Sequence, residues 1–177
     1  RIRNAIMVEV LKELKDFNHN CDIYFVGTVQ EEVGIRGART STHKIKPDIA
    51  IAIDVTMAKD TPIDKNGLKL GCGVVVSVYD SMTIGNKNFI KEIEKICDEI
   101  GLNINYDFMT NGGTDAGNIH KSFEGIISIT LSIPTRYMHS SNVIVHKNDY
   151  IQTTKLITEF CKRLNFDLLE KIKYKDL

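Results

Sequence analysis

The chain has 177 residues, with 23 basic and 23 acidic side chains, so its formal charge cancels. That length suits one α/β domain with a sizeable core. Balanced charge, with no Lys or Arg cluster interleaved with aromatics, argues against a nucleic-acid partner.

No apolar run approaches the roughly 20 residues needed to cross a bilayer, and no charged start and apolar centre mark a signal peptide. The four cysteines, Cys21, Cys72, Cys97 and Cys161, are widely spaced and form no Cys-x-x-Cys pair. These features predict a soluble cytoplasmic protein with reduced, buried thiols and no membrane partner. The chain opens at Arg1 without a methionine, and helical periodicity begins with no N-cap residue before it, which predicts a fragment of a longer domain.

Ile2, Ile6, Val10, Leu14 and Phe17 recur at helical spacing, while Arg3, Glu9, Lys12 and Lys15 take other faces. An amphipathic helix over 2–17 follows. Asn18, His19 and Asn20 interrupt it before Asp22-Ile-Tyr-Phe-Val-Gly-Thr, a β-rich run read as a strand buried on both faces. A second strand is expected at Ile49-Ala-Ile-Ala-Ile, with Gly34 to Thr42 as a helical crossover, because consecutive parallel strands cannot be joined by a tight turn. Asp64-Lys-Asn-Gly reads as a turn and Val74-Val-Val-Ser-Val as the next strand.

A helix from Asn88 to Ile100 should bury Phe89, Ile93, Ile96 and Ile100 and stop at Gly101. The glycine-rich Asn111-Gly-Gly-Thr-Asp-Ala-Gly then leads to the strongest strand, Ile126 to Ile133, and one closing helix spans 148–171. Alternating helices and buried strands predict a three-layer α/β/α fold.

In such sheets ligands bind beyond the carboxyl ends of the strands. Glu31 and Glu32 follow the first strand, Asp54 follows the second, and His139 follows the Ile126 strand, so all four are placed near one rim. Carboxylates with an imidazole suit zinc, cobalt or manganese better than magnesium or calcium. Adjacent residues point in opposite directions, so one glutamate can bind an ion while its neighbour faces the water to be activated.

By composition alone, paired glutamates at a strand end are more often solvated or serve as helix-start charges. His139 taken alone is more often a hydrogen-bonded rim histidine, and His19, His43, His120 and His146 carry weaker claims still. The glycine-rich loop lacks the Walker lysine and the dinucleotide glycine spacing, and as structure it leads into a short helix with Thr114 or Asp115 as a cap.

Gly27-Thr-Val-Gln-Glu-Glu-Val-Gly-Ile-Arg-Gly-Ala, Ile53-Asp-Val-Thr, Gly112-Gly-Thr-Asp-Ala and Arg136-Tyr-Met-His-Ser together resemble the glutamyl and deblocking aminopeptidases. Members are also called tetrahedral aminopeptidases and are often labelled cellulase-like or endoglucanase-like. The resemblance covers nearly the whole chain, with the motifs in the family's order. It implies a zinc-peptidase-like α/β/α sandwich with a mixed, largely parallel sheet, of which residues 1–177 are the C-terminal portion of the catalytic domain. The family's N-terminal portion, its inserted β-rich domain, an upstream histidine and a bridging aspartate have no counterpart here.

Carried over by position, Glu31 matches the general base toward a water shared by two divalent ions, which are zinc, cobalt or manganese. Glu32 and His139 match ligands of one ion and Asp54 a ligand of the other. Gly113, Thr114, Asp115 and Arg136 are weaker candidates for shaping the peptide-substrate pocket. The implied partners are a short peptide cleaved at its N-terminal residue and further copies of the chain, a dodecamer in the full-length family. Two other readings stand beside it: an incomplete, non-catalytic piece with a structural or assembly role, and a glycoside hydrolase. The last is disfavoured because glycosidase carboxylates flank the scissile bond, at about 5 Å or more, whereas Glu31 and Glu32 are neighbours.

Overall fold

The computed structural model describes residues 1–62 and 67–174. The turn expected at Asp64 to Gly67 therefore lies largely outside the described residues.

The elements in chain order are α1 (Ile2–Leu14), α2 (Arg36–Ile45), β1 (Ile49–Met57), β2 (Val74–Tyr79), α3 (Lys87–Ile100), β3 (Ile104–Phe108), α4 (Ala116–Ile119), β4 (Ile127–Arg136), β5 (Ile144–Val145), α5 (Lys147–Arg163) and α6 (Phe166–Tyr174). The sheet order is β1-β4-β2-β3, with β5 on the end of β4. β1 runs parallel to β4 and β2 parallel to β3, while β2 and β5 are antiparallel to β4. The sheet is thus mixed and mostly parallel, as expected.

Strand alternation decides what lies on each face. Ile129, Leu131 and Ile133 of β4 and Ile49, Ile51, Ile53 and Val55 of β1 join the core formed with Ile6, Val10 and Leu14 of α1, Phe89, Ile93 and Ile96 of α3, Leu156 and Phe160 of α5, and Ile172 of α6. The opposite face carries Ala52, Ser128, Thr130 and Ser132, all buried. Small side chains let α4, which touches both β1 and β4, lie close to the sheet with α2 packed on it. The result is the three-layer α/β/α arrangement.

Four local expectations are corrected. Asp22 to Thr28 belongs to no ladder among the described residues. Ile23 and Phe25 pack on the core while Tyr24 is exposed, so the run is covered on one side only. β3 was not anticipated. It is an edge strand whose apolar Tyr106 and Phe108 face outward, so its alternation does not report a buried face.

The closing helix is two helices. Leu164 is extended at φ −65° and ψ 124°, and the Asn165 side chain accepts the Leu168 N–H at 2.8 Å, capping α6. Neither Thr114 nor Asp115 caps α4 through its side chain. The Thr114 hydroxyl instead meets Asp80 at 3.1 Å and Thr130 at 2.7 Å. By contrast α3 ends at Gly101 with φ +68°, the left-handed conformation that glycine adopts most readily.

The four cysteines are free. Burial pushes the Cys97 thiol up to about 11 and the Cys161 thiol up to about 12, so both are poor nucleophiles at neutral pH.

Candidate active site

The stretch after Thr28 is a tight loop rather than a strand end. The Glu31 carbonyl accepts the N–H groups of Gly34 at 3.2 Å and Ile35 at 2.8 Å, and the Val29 carbonyl accepts Gly37 N–H at 2.9 Å. Gln30 and Ile35 hold left-handed backbone at φ +58° and +55°. That conformation costs on the order of 1–3 kcal/mol at a non-glycine residue, and a β-branched residue such as Ile35 is an outlier there. Tyr137 and His139 are left-handed too, at φ +61° and +60°. Strain of this kind often collects at functional loops, and four of the six left-handed non-glycine residues among the described residues lie in the two segments that carry Glu31, Glu32 and His139, the others being Lys46 and Phe123.

Two residues brace the first loop from α4 and its approach. Thr28 Oγ1 donates to Asp115 Oδ2 at 2.6 Å, and the Asn118 side-chain amide donates to the Ile35 carbonyl at 2.9 Å. Asp115 Oδ1 is buried and has no hydrogen-bond partner among the described residues.

The contacts among the expected residues are pairwise: Glu31 feels the charges of Asp54, Glu32, Asp115 and Arg3, and His139 approaches Glu32. Burial pushes the Glu31 carboxyl up to about 7, reinforced by the negative charges of Asp54, Glu32 and Asp115 and opposed by Arg3. Burial also raises Asp54, against the lowering influence of Arg3 and of the Val55 N–H. His139 Nδ1 lies 3.8 Å from Glu32 Oε2, both side chains being largely exposed. Arg3 Nη1 lies 3.0 Å from Asp54 Oδ1.

The remaining candidates have other partners. Gly113 packs beside Met82, Thr114 is buried at 1% exposure, and Arg136 Nε donates to Asp60 Oδ1 at 2.7 Å. That bond, with Leu70 N–H, holds the Asp60 carboxyl down at about 2. Sequence reading missed Arg3. The available signal was a cation in the first turn of a helix, where the macrodipole disfavours it unless a carboxylate is near.

Among the described residues, no group of three or more His, Cys, Asp or Glu side chains is gathered closely enough to hold an ion. In chemistry, carboxylates with an imidazole are donors that suit a zinc-like ion, and one pair of them approaches the spacing that an ion needs. Two ligands bonded to zinc at about 2.0–2.1 Å stand roughly 3.3 Å apart at a tetrahedral angle. The 3.8 Å between His139 and Glu32 is wider than that but still short enough to be spanned by one ion.

The profile of the M42 glutamyl aminopeptidases matches residues 1–156. The chain belongs to this family. A putative aminopeptidase of Acetivibrio thermocellus is 41% identical over 156 residues, covering 88% of this chain and 47% of that protein. A lysyl aminopeptidase of Pyrococcus furiosus is 38% identical over 166 residues, covering 93% and 46%. The crystal structure of a TET aminopeptidase from a marine sediment thaumarchaeote superposes with a TM-score of 0.93 at 32% identity, covering 97% of this chain and 49% of that one. This M42 chain spans about half the length of these relatives. Among the described residues, no helix is long and apolar enough to cross a membrane.

Proposed function

We propose that this M42 chain supplies one flank of a two-metal aminopeptidase centre that removes the N-terminal residue from short peptides. Glu31 is the general base, Glu32 and His139 hold one divalent ion, and Asp54 holds a second, with zinc, cobalt or manganese as the ions that suit these donors. The observation that carries the reading is the match to the M42 glutamyl aminopeptidases over residues 1–156, in a chain where Glu31 lies within reach of the charges of Asp54, Glu32 and Asp115.

The ions, when bound, supply Lewis acidity toward the peptide carbonyl and make water easier to deprotonate. Glu31 takes the proton of the attacking water and returns it to the departing amine, the acid–base duty that a positioned carboxylate can perform in both directions. The left-handed residues at Gln30 and Ile35, the Thr28–Asp115 bond and the Asn118 contact keep Glu31 aimed while that proton moves. Asp115 fits a place at the edge of the substrate pocket better than Thr114 or Arg136, whose polar groups are engaged elsewhere.

Assembly into a homo-oligomer belongs to the same proposal. A Pyrococcus horikoshii TET1 peptidase, 27% identical with a TM-score of 0.79 and covering 93% of this chain and 48% of its own, can assemble into a tetrahedron or a large octahedral shell.

In the full-length protein, Glu31→Gln should lower peptide hydrolysis by about 10²–10⁴-fold, with the bound metal, counted by elemental analysis, unchanged. Hydrolysis at the wild-type rate would remove Glu31 from the mechanism. Release of sugar from a soluble glucan without peptide cleavage would replace the peptidase reading with glycoside hydrolysis.

A further inference from the structure

We propose that Arg3 is a positioning residue for the metal centre: bonded to one oxygen of Asp54, it fixes that carboxylate so that the other oxygen is presented to an ion. The inference rests on the metal reading given above.

Arg3 stands in the first turn of α1, which has no acidic residue to offset it. A cation at the positive end of a helix is disfavoured by roughly 0.3–1 kcal/mol, so its place is explained by its partner rather than by its helix. That partner lies 51 residues away in the C-terminal half of β1, and the pair is partly buried, with Asp54 at 14% side-chain exposure.

Both hydrogen bonds to Asp54 land on Oδ1, from Arg3 Nη1 at 3.0 Å and from the Val55 N–H at 2.7 Å. Among the described residues none reaches Oδ2. Two donors on one oxygen set the carboxylate plane and leave the lone pairs of the second free. Ligating carboxylates are commonly held in this way by outer partners. Arginine suits the role better than lysine, because its planar guanidinium stays charged and keeps a fixed donor direction.

The opposite role predicts the opposite sign. If Arg3 merely filled the place of a missing cation, the ion would have to displace it, and removing Arg3 would tighten metal binding. The experiment uses the full-length protein stripped of metal and titrated with cobalt(II), following heat and the visible absorption of the bound ion, in wild type, Arg3→Met and Arg3→Lys.

The methionine variant should bind cobalt about 10–100-fold more weakly, with a changed absorption band, and lysine should recover part of the loss. Should the methionine variant fail to fold, the lysine variant decides, because a single rotatable donor should still weaken binding severalfold. Unchanged or tighter cobalt binding in the folded variants overturns the Arg3 role while leaving the metal reading intact. Wild-type protein that binds no cobalt overturns both.

Discussion

Asp149 offers the sharpest test of how the fold is held around the start of β2. It is fully buried in the first turn of α5. Its Oδ1 accepts the Gly73 N–H at 2.7 Å and its Oδ2 the Gly71 N–H at 2.8 Å. Asp149→Ala removes both acceptors and leaves two backbone donors short of partners, at about 1–3 kcal/mol each, with the larger share at the buried Gly73. Loss of a negative charge near a helix N-terminus adds roughly 0.3–1 kcal/mol.

The sum is about 2–7 kcal/mol, a large part of the stability of an ordinary domain. At about 2–4 °C per kcal/mol for a chain of this size, the melting temperature should fall by roughly 10 °C. Urea denaturation followed by circular dichroism measures the loss as a lower midpoint at unchanged slope. Asn in place of Asp149 keeps one acceptor but turns a donor toward the second N–H, so it should rescue little. A cost below about 1 kcal/mol for the alanine variant would refute the reasoning, because it would mean that the two N–H groups do not depend on this carboxylate.

Further outcomes follow from the site and its supports. In metal-free protein the Glu31 carboxyl is raised from 4.5 to about 7, so the folded chain holds this proton more tightly than the unfolded chain does. Its contribution to stability is therefore complete below pH 4.5 and is lost as pH rises through about 7. Glu31→Gln should flatten that part of the profile in melts recorded with chelator, and an unaltered slope across the same window would contradict it. A Cβ on Gly37 would fall on the Val29 backbone nitrogen and oxygen, so Gly37→Ala should cost about 1–3 kcal/mol and, by shifting the Glu31 loop, lower peptide hydrolysis; a wild-type melt and rate would show that the loop yields freely. Asn165→Ala should cost about 0.5–2 kcal/mol by uncapping α6, and an unchanged melting temperature would mean that α6 does not need this cap.

Much of the layer structure was legible in the residues. Helical spacing marked α1 and α3, the apolar runs marked β1, β2 and β4, and Gly101 marked the end of α3. The rule that sites gather beyond the carboxyl ends of strands served less well, because among the described residues no strand precedes Glu31 and Asp54 lies within β1 rather than after it. Periodicity failed where burial and polarity part company, as in β3, with its aromatics outward, and in the Asp22 to Thr28 run, whose apolar residues suggested two covered faces. It also passed over Asn165, because the apolar spacing of α5 resumes in α6 and a cap is a single-residue event.

The sequence by itself determined which segments are amphipathic helices and which apolar runs are the central strands, since both follow from neighbours along the chain. Only the tertiary structure decided that Arg3 meets Asp54, that Glu32 stands 3.8 Å from His139, and that Thr28 and Asn118 brace the loop of Glu31. Those meetings depend on strand order and on how the helices lie across the sheet. Charge and hydrogen-bond partners separated by dozens of residues leave no periodic trace in the chain that carries them.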